Sequence, residues 1–200
     1  MDMKEGMHMK LTEILDQMHL DAMLITNPYN MRYVSHFRGG EGILLISRKS
    51  RVLITDSRYT EAAKQESDFQ VEECNHLRKT TDILNDWIER EQLLTVGYED
   101  ASMLCSTFRE YQTGLPAIKE WIPLGVAVTR LRQIKTPEEI GYLRQAEAIG
   151  DAAFTKILDI IKPGMTELEI QAELEYRMMK CGASGTSFDT IVASGIHSSM

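Results

Sequence analysis

The sequence is short of the features that most directly announce a chemistry. No stretch approaches the ~18 consecutive apolar residues that a membrane-spanning helix needs, and Met1 to Lys10 mixes Met, Lys and acidic residues without the apolar segment of a secretory signal. The expectation is a protein of the cytoplasm with no membrane partner. Cysteine is scarce: Cys74, Cys105 and Cys181 are odd in number, widely spaced and form no CxxC pair. That excludes a disulfide framework and fits a reducing compartment. Gly and Pro are sparse, and no segment is low in complexity, which excludes an extended disordered region. Positive charge is the minority, with 22 Lys and Arg against 30 Asp and Glu and a net charge of −8. Such a balance argues against nucleic acid or anionic membrane as a partner.

The usual catalytic signatures are also missing. The five histidines, His8, His19, His36, His76 and His197, show no HxH, HxxxH or HExxH spacing. No two of them are therefore placed by local spacing to hold one cation. GxSxG does not occur, so Ser57 and Ser194 have no nucleophile-elbow context. Gly182-Ala183-Ser184-Gly185 is too short for a phosphate loop and lacks the following Lys-Ser/Thr. No neighbour marks any cysteine as activated.

What is present is an ordinary globular composition, 43% hydrophobic and 26% charged, with length for one large domain or two small ones. Leu11, Ile14, Leu15 and Met18 have helical spacing. Ala22 to Thr26 reads as a buried strand closed by Asn27-Pro28. Gly42–Ser47 and Arg51–Thr55 are apolar runs split by Arg48-Lys49-Ser50, which predicts a hairpin. Asp56 is expected to cap a helix from about Arg58 to Glu66. Strands follow at Phe69–Cys74 and Leu94–Glu99, helices at Asp82–Arg90 and Ser102–Tyr111, and a short edge segment at Trp121-Ile122. Alternating strands and helices predict an α/β layer.

A boundary falls near Lys135. Thr136-Pro137-Glu138-Glu139 combines a capping hydroxyl, a first-turn proline and a glutamate at the third helical position. The helix it opens is expected to run through Ile161 to Lys162-Pro163-Gly164. Thr166-Glu167-Leu168-Glu169 opens a second helix in the same way, ending near Cys181. These acidic clusters read as helix caps and not as a paired-carboxylate site. Ser187 to Ser194 alternates like a strand, and as an unpaired edge it would be an aggregation hazard.

Particular strings also carry a resemblance. Arg130-Leu131-Arg132-Gln133-Ile134-Lys135-Thr136-Pro137-Glu138-Glu139-Ile140, then Lys162-Pro163-Gly164-Met165-Thr166-Glu167, then Phe188-Asp189-Thr190-Ile191-Val192-Ala193-Ser194-Gly195, resemble in order the start of the catalytic domain of the Xaa-Pro peptidases (aminopeptidase P and prolidase), which are pita-bread metallopeptidases. Earlier, Asn30, Tyr33 and Phe37 match the family's N-x-x-Y-x-x-x-F segment, and Asp56-Ser57-Arg58-Tyr59 its D-x-R-Y segment. His36 departs from that pattern, standing where a glycine is usual.

The resemblance implies an α/β N-terminal domain of the creatinase/prolidase type at residues 9–131, followed by the truncated start of an α+β pita-bread catalytic domain at 132–200. It implies a metal-dependent peptidase cleaving the bond before proline, with two divalent ions, manganese foremost, a peptide substrate with proline at its second position, and a homodimer. In the family order every metal ligand and catalytic residue lies after the Phe188 segment. No catalytic or metal-binding residue is therefore assigned in this chain, which alone is expected to be inactive. Asn30 and Phe188 are the substrate-proximal candidates. Tyr33 and Phe37 are expected in the core. The alternatives are a non-catalytic binding or dimerisation module of the same fold and a creatinase-like C–N hydrolase.

Overall fold

A computed structural model of the chain describes residues 3–199, which divide into two compact units, one up to Ile134 and the other from Lys135 onward. In the first unit, helix α1 (Met3–Gln17) leads into β1 (Ala22–Ile25), and α2 (Pro28–Ser35) precedes the hairpin of β2 (Ile43–Ser47) and β3 (Arg51–Asp56). Then come α3 (Thr60–Glu66), β4 (Gln70–Cys74), α4 (Thr80–Glu91), β5 (Thr95–Tyr98), α5 (Cys105–Gly114), β6 (Glu120–Pro123) and the one-turn α6 (Ala127–Arg130). The strands form one mixed sheet in the order β4-β3-β2-β1-β5-β6. Pairs β1/β2 and β2/β3 are antiparallel, and β1/β5, β3/β4 and β5/β6 are parallel.

The central strands are apolar on both faces because both faces are covered. Met23, Ile25, Leu44, Ile46 and Leu53 point into one cluster with Leu11, Ile14 and Leu15 of α1 and Met31 and Val34 of α2. Ala22, Leu24, Ile43, Leu45, Val52 and Ile54 alternate to the other face and meet Ile83, Leu84, Trp87 and Ile88 of α4. The strand period of two thus divides one apolar run between two cores.

Asn27-Pro28 does more than close β1. The Asn27 side chain accepts the N–H groups of Tyr29 and Asn30, and Pro28 occupies the first turn of α2. That helix ends on His36, whose φ of 62° is left-handed. This is the conformation in which glycine carries no Cβ penalty. Phe37 is fully buried. Tyr33 is half-buried, and its hydroxyl donates to the Leu131 carbonyl at 3.0 Å.

Asp56 is not the expected helix cap. Helix α3 begins at Thr60 after Tyr59, with no side-chain cap. Asp56 instead accepts the backbone N–H and the guanidinium of Arg58. These bonds hold its carboxyl below the usual range and push the guanidinium pKa up.

In the second unit, α7 (Pro137–Leu158) and α8 (Glu167–Lys180) both open on complete capping boxes, Thr136/Glu139 and Thr166/Glu169. Helix α7 stops at Leu158, three residues short of the expected end. Residues 187–194 are irregular and form no strand, followed by a 3₁₀ turn over Gly195–Ser199. Apolar alternation alone could not make that strand. Its backbone groups need a ladder partner, and without one they gain nothing over hydration.

Candidate functional site

The carboxyl ends of β1 and β5 lie side by side. Their register pairs Leu24 with Tyr98, so Glu99, the first residue past β5, falls beside the end of β1. In open α/β sheets the crevice beyond such strand ends is where ligands commonly bind. Here the protein's own polar side chains occupy it. Glu99 is only 4% exposed, and its Oε2 accepts the N–H groups of Thr26 and Asn27, each at 2.6 Å. The two donors immediately precede α2, where a carboxylate also suits the helix dipole.

Asn30, 3% exposed, completes the cluster. Its Nδ2 donates to Glu99 Oε1 at 2.6 Å and reaches Thr129 Oγ1 at 3.4 Å. Its Oδ1 accepts from Arg132 Nε at 2.8 Å. The structure therefore places the candidate Asn30 inside a carboxylate–amide–guanidinium chain, with its amide engaged at both ends. Arg132 also lies 6.0 Å from the centre of the exposed Tyr29 ring. Sequence reading singled out Asn30 and missed Glu99. The one signal that could have found Glu99 is its position directly after a buried strand.

Phe188 lies in the second unit, in the irregular segment after α8, and is 72% exposed. Near it in sequence is a cluster with a misleading composition. Glu167 accepts the Ser194 N–H at 2.6 Å and its hydroxyl at 3.2 Å, and His197 Nδ1 stands 3.3 Å away. The Ser194 N–H above all, with help from His197, holds the Glu167 carboxyl below its ordinary value. A nucleophilic triad needs the imidazole between hydroxyl and carboxylate. Here the carboxylate sits between the other two, so the hydroxyl has no imidazole to activate it. Glu167, expected as a helix cap, instead pins the Ser194–His197 turn, and Glu169 does the capping.

A cavity of about 180 Å³ opens between the ends of β2, β3 and β4, beside Glu41, Thr55, Asp56, Cys74, Thr80 and Tyr111. Burial raises the Tyr111 pKa. The volume falls below the ~300 Å³ at which small-molecule pockets begin.

A hydrolytic pair of divalent ions needs converging carboxylate and imidazole ligands. Among the described residues no group of three or more His, Cys, Asp or Glu could hold a metal ion. The described residues do not fit such a centre. No helix among the described residues is long and apolar enough to cross a membrane.

Comparison with known proteins accounts for this division. Residues 8–134 match the Creatinase/Prolidase N-terminal domain model, and residues 141–200 match Metallopeptidase family M24. The chain is 40% identical over 193 residues to an uncharacterized peptidase of Bacillus subtilis, covering 96% of this chain and 54% of that protein. A solved Xaa-Pro dipeptidase from Bacillus anthracis superposes with a TM-score of 0.88 at 35% identity, over 97% of this chain and 54% of that one. An X-Pro aminopeptidase from Thermotoga maritima gives 0.83 at 38% identity, over 91% and 53%. The chain spans about half the length of the curated relatives it matches.

Proposed function

The chain belongs to the creatinase/prolidase N-terminal domain family, with its later residues in metallopeptidase family M24, and from that premise we propose that it is the N-terminal half of a Xaa-Pro peptidase. The longer protein hydrolyses the amide bond preceding a proline at the second position of a peptide, as an aminopeptidase or a dipeptidase. It uses two divalent ions, manganese being the metal we propose, and works as a cytoplasmic homodimer. In this reading the 200 residues supply a scaffold, and the metal centre is built by residues they do not contain. Phe188 is proposed as a substrate-proximal side chain because its aromatic ring is open to solvent. Asn30 is proposed to act near substrate by fixing the loop after β1, since its amide is already bonded at both ends.

The observation that carries the reading is a coincidence of two divisions. The two family matches change over between residues 134 and 141, and the compact units separate at Ile134/Lys135. The test compares two purified proteins, the 200-residue chain and its longer form, each with manganese, on Xaa-Pro dipeptides and on longer peptides with proline second. Cleavage by the longer form alone is the expected result. Cleavage by the 200-residue chain would overturn the assignment of the metal centre. Failure of the longer form on every such peptide would overturn the peptidase reading and favour a binding module of the same fold.

A further inference from the structure

We propose that Glu99 is a positioning residue whose buried carboxylate, acting through the Asn30 amide and the Arg132 guanidinium, locks residues 129–132 onto the carboxyl end of β1. The inference concerns this chain alone and does not rest on the peptidase reading. A buried carboxylate is costly unless donors surround it. Glu99 has two backbone N–H groups and one amide N–H, all at 2.6 Å. The amide that satisfies it is polarised from its other end by Arg132. Opposite charges at the two ends of one amide strengthen both of its hydrogen bonds.

These contacts span long sequence distances, 69 residues from Asn30 to Glu99 and 102 from Asn30 to Arg132. The segment they hold spans the end of the short helix α6 and the turn after it, three residues before Lys135, where the second unit begins. It is also tied at Thr129 by the Asn30 amide and at Leu131 by the Tyr33 hydroxyl. Three attachments within four residues fix a stretch of chain that has little regular structure of its own. The buried carboxylate is the anchor at the inner end.

The segment contains its own probe, because trypsin can cut after Arg130, Arg132 and Lys135. Arg130 and Lys135 are exposed, whereas Arg132 is half-buried with its Nε on Asn30. The protease needs an extended basic side chain in its specificity pocket, so a tethered Arg132 is a poor substrate. In the native 200-residue chain, cleavage after Arg132 is expected to be at least about tenfold slower than after Lys135, as for a site whose opening requires at least one charge-assisted hydrogen bond to break. Glu99→Gln removes the charge at nearly constant shape and should raise cleavage after Arg132 about tenfold relative to cleavage after Lys135. Hydrogen exchange over residues 129–133 should rise with it. Arg132→Lys keeps a trypsin site and its charge but lacks the Nε donor, and it should act the same way with Glu99 intact. It carries the test if Glu99→Gln fails to fold, as judged by tryptophan fluorescence. The proposal is overturned if native Arg132 is cut as fast as Lys135, or if the folded variants leave the ratio within twofold of the native value. Neither readout involves peptidase activity, so failure here and failure of the functional reading are separate results.

Discussion

Replacing Asn30 by aspartate changes one amide nitrogen to oxygen and should make the stability of the first unit strongly pH-dependent. In the native chain the Asn30 Nδ2 lies 2.6 Å from Glu99 Oε1. Asn30→Asp puts a second carboxyl oxygen there, and two carboxylates at that distance cannot both ionise. The new carboxyl therefore has a folded pKa raised above its unfolded value of about 3.9. When protonated it can donate to Glu99 as the amide did and still accept from Arg132, so at low pH the deficit against the native protein is small. Above about pH 3.9 the unfolded state of the variant loses a proton that its folded state keeps. The deficit then grows by about 1.4 kcal/mol per pH unit until the folded pKa is reached. The Arg132 guanidinium on the other oxygen offsets part of this rise, and a net rise of one to two units gives about 1.4–2.7 kcal/mol at neutral pH. That is a large share of the ~5–15 kcal/mol that holds a domain together. Both tryptophans, Trp87 and Trp121, lie in the first unit, so urea titrations followed by their fluorescence report on it directly. The measurement is the difference in unfolding free energy between variant and native chain from pH 4.5 to 8. A difference that stays flat across this range would refute the argument, because an unstrained or solvated pair at this position would not titrate abnormally.

Other substitutions test the local geometry. His36→Gly relieves a left-handed residue at the end of α2 and should raise stability by up to about 1 kcal/mol, seen as a higher midpoint in the same urea titration. Gly42→Ala should have the opposite sign. At φ 144° a Cβ would lie 2.6 Å from the Ile54 carbonyl oxygen, and strain of this kind costs about 1–3 kcal/mol. In the second unit, Thr166→Ala removes the N-cap of α8 and should cost about 1 kcal/mol of helix stability, read by hydrogen exchange of its first turn. The same cap should weaken in acid. The backbone and hydroxyl of Thr166 hold the Glu169 carboxyl below its ordinary value. Its contribution is present above an ordinary glutamate pKa of about 4.3 and is lost as pH falls through the lower folded value. Carbon-detected titration of the Glu169 carboxyl should show a midpoint below that of an exposed glutamate, and an ordinary midpoint would count against the cap.

Much of this architecture was legible in the residues. The capping boxes at Thr136 and Thr166 depend on groups within four residues of one another, so local chemistry dictates them. The apolar runs Gly42–Ser47 and Arg51–Thr55 could form little but a buried hairpin. The resemblance to the Xaa-Pro peptidases likewise rested on short strings, and the family matches cover those stretches apart from residues 135–140. Reading failed where a residue's partner lies far away or where several local partners compete. Asp56 has the composition of a helix cap but bonds Arg58, because the chain turns once more before α3 begins. Ser187–Ser194 alternates like a strand, but alternation supplies a face and not a partner. Glu99 was one of 30 acidic residues until the parallel pairing of β1 with β5 set it beside Thr26 and Asn27. The sequence by itself determined the two capped helices of the second unit and the central apolar strands of the first, because those choices are made within one or two turns of chain. Tertiary structure alone decided the pairing of β1 with β5 and the buried Glu99–Asn30–Arg132 chain, since both depend on residues brought together from about 70 to 100 positions apart.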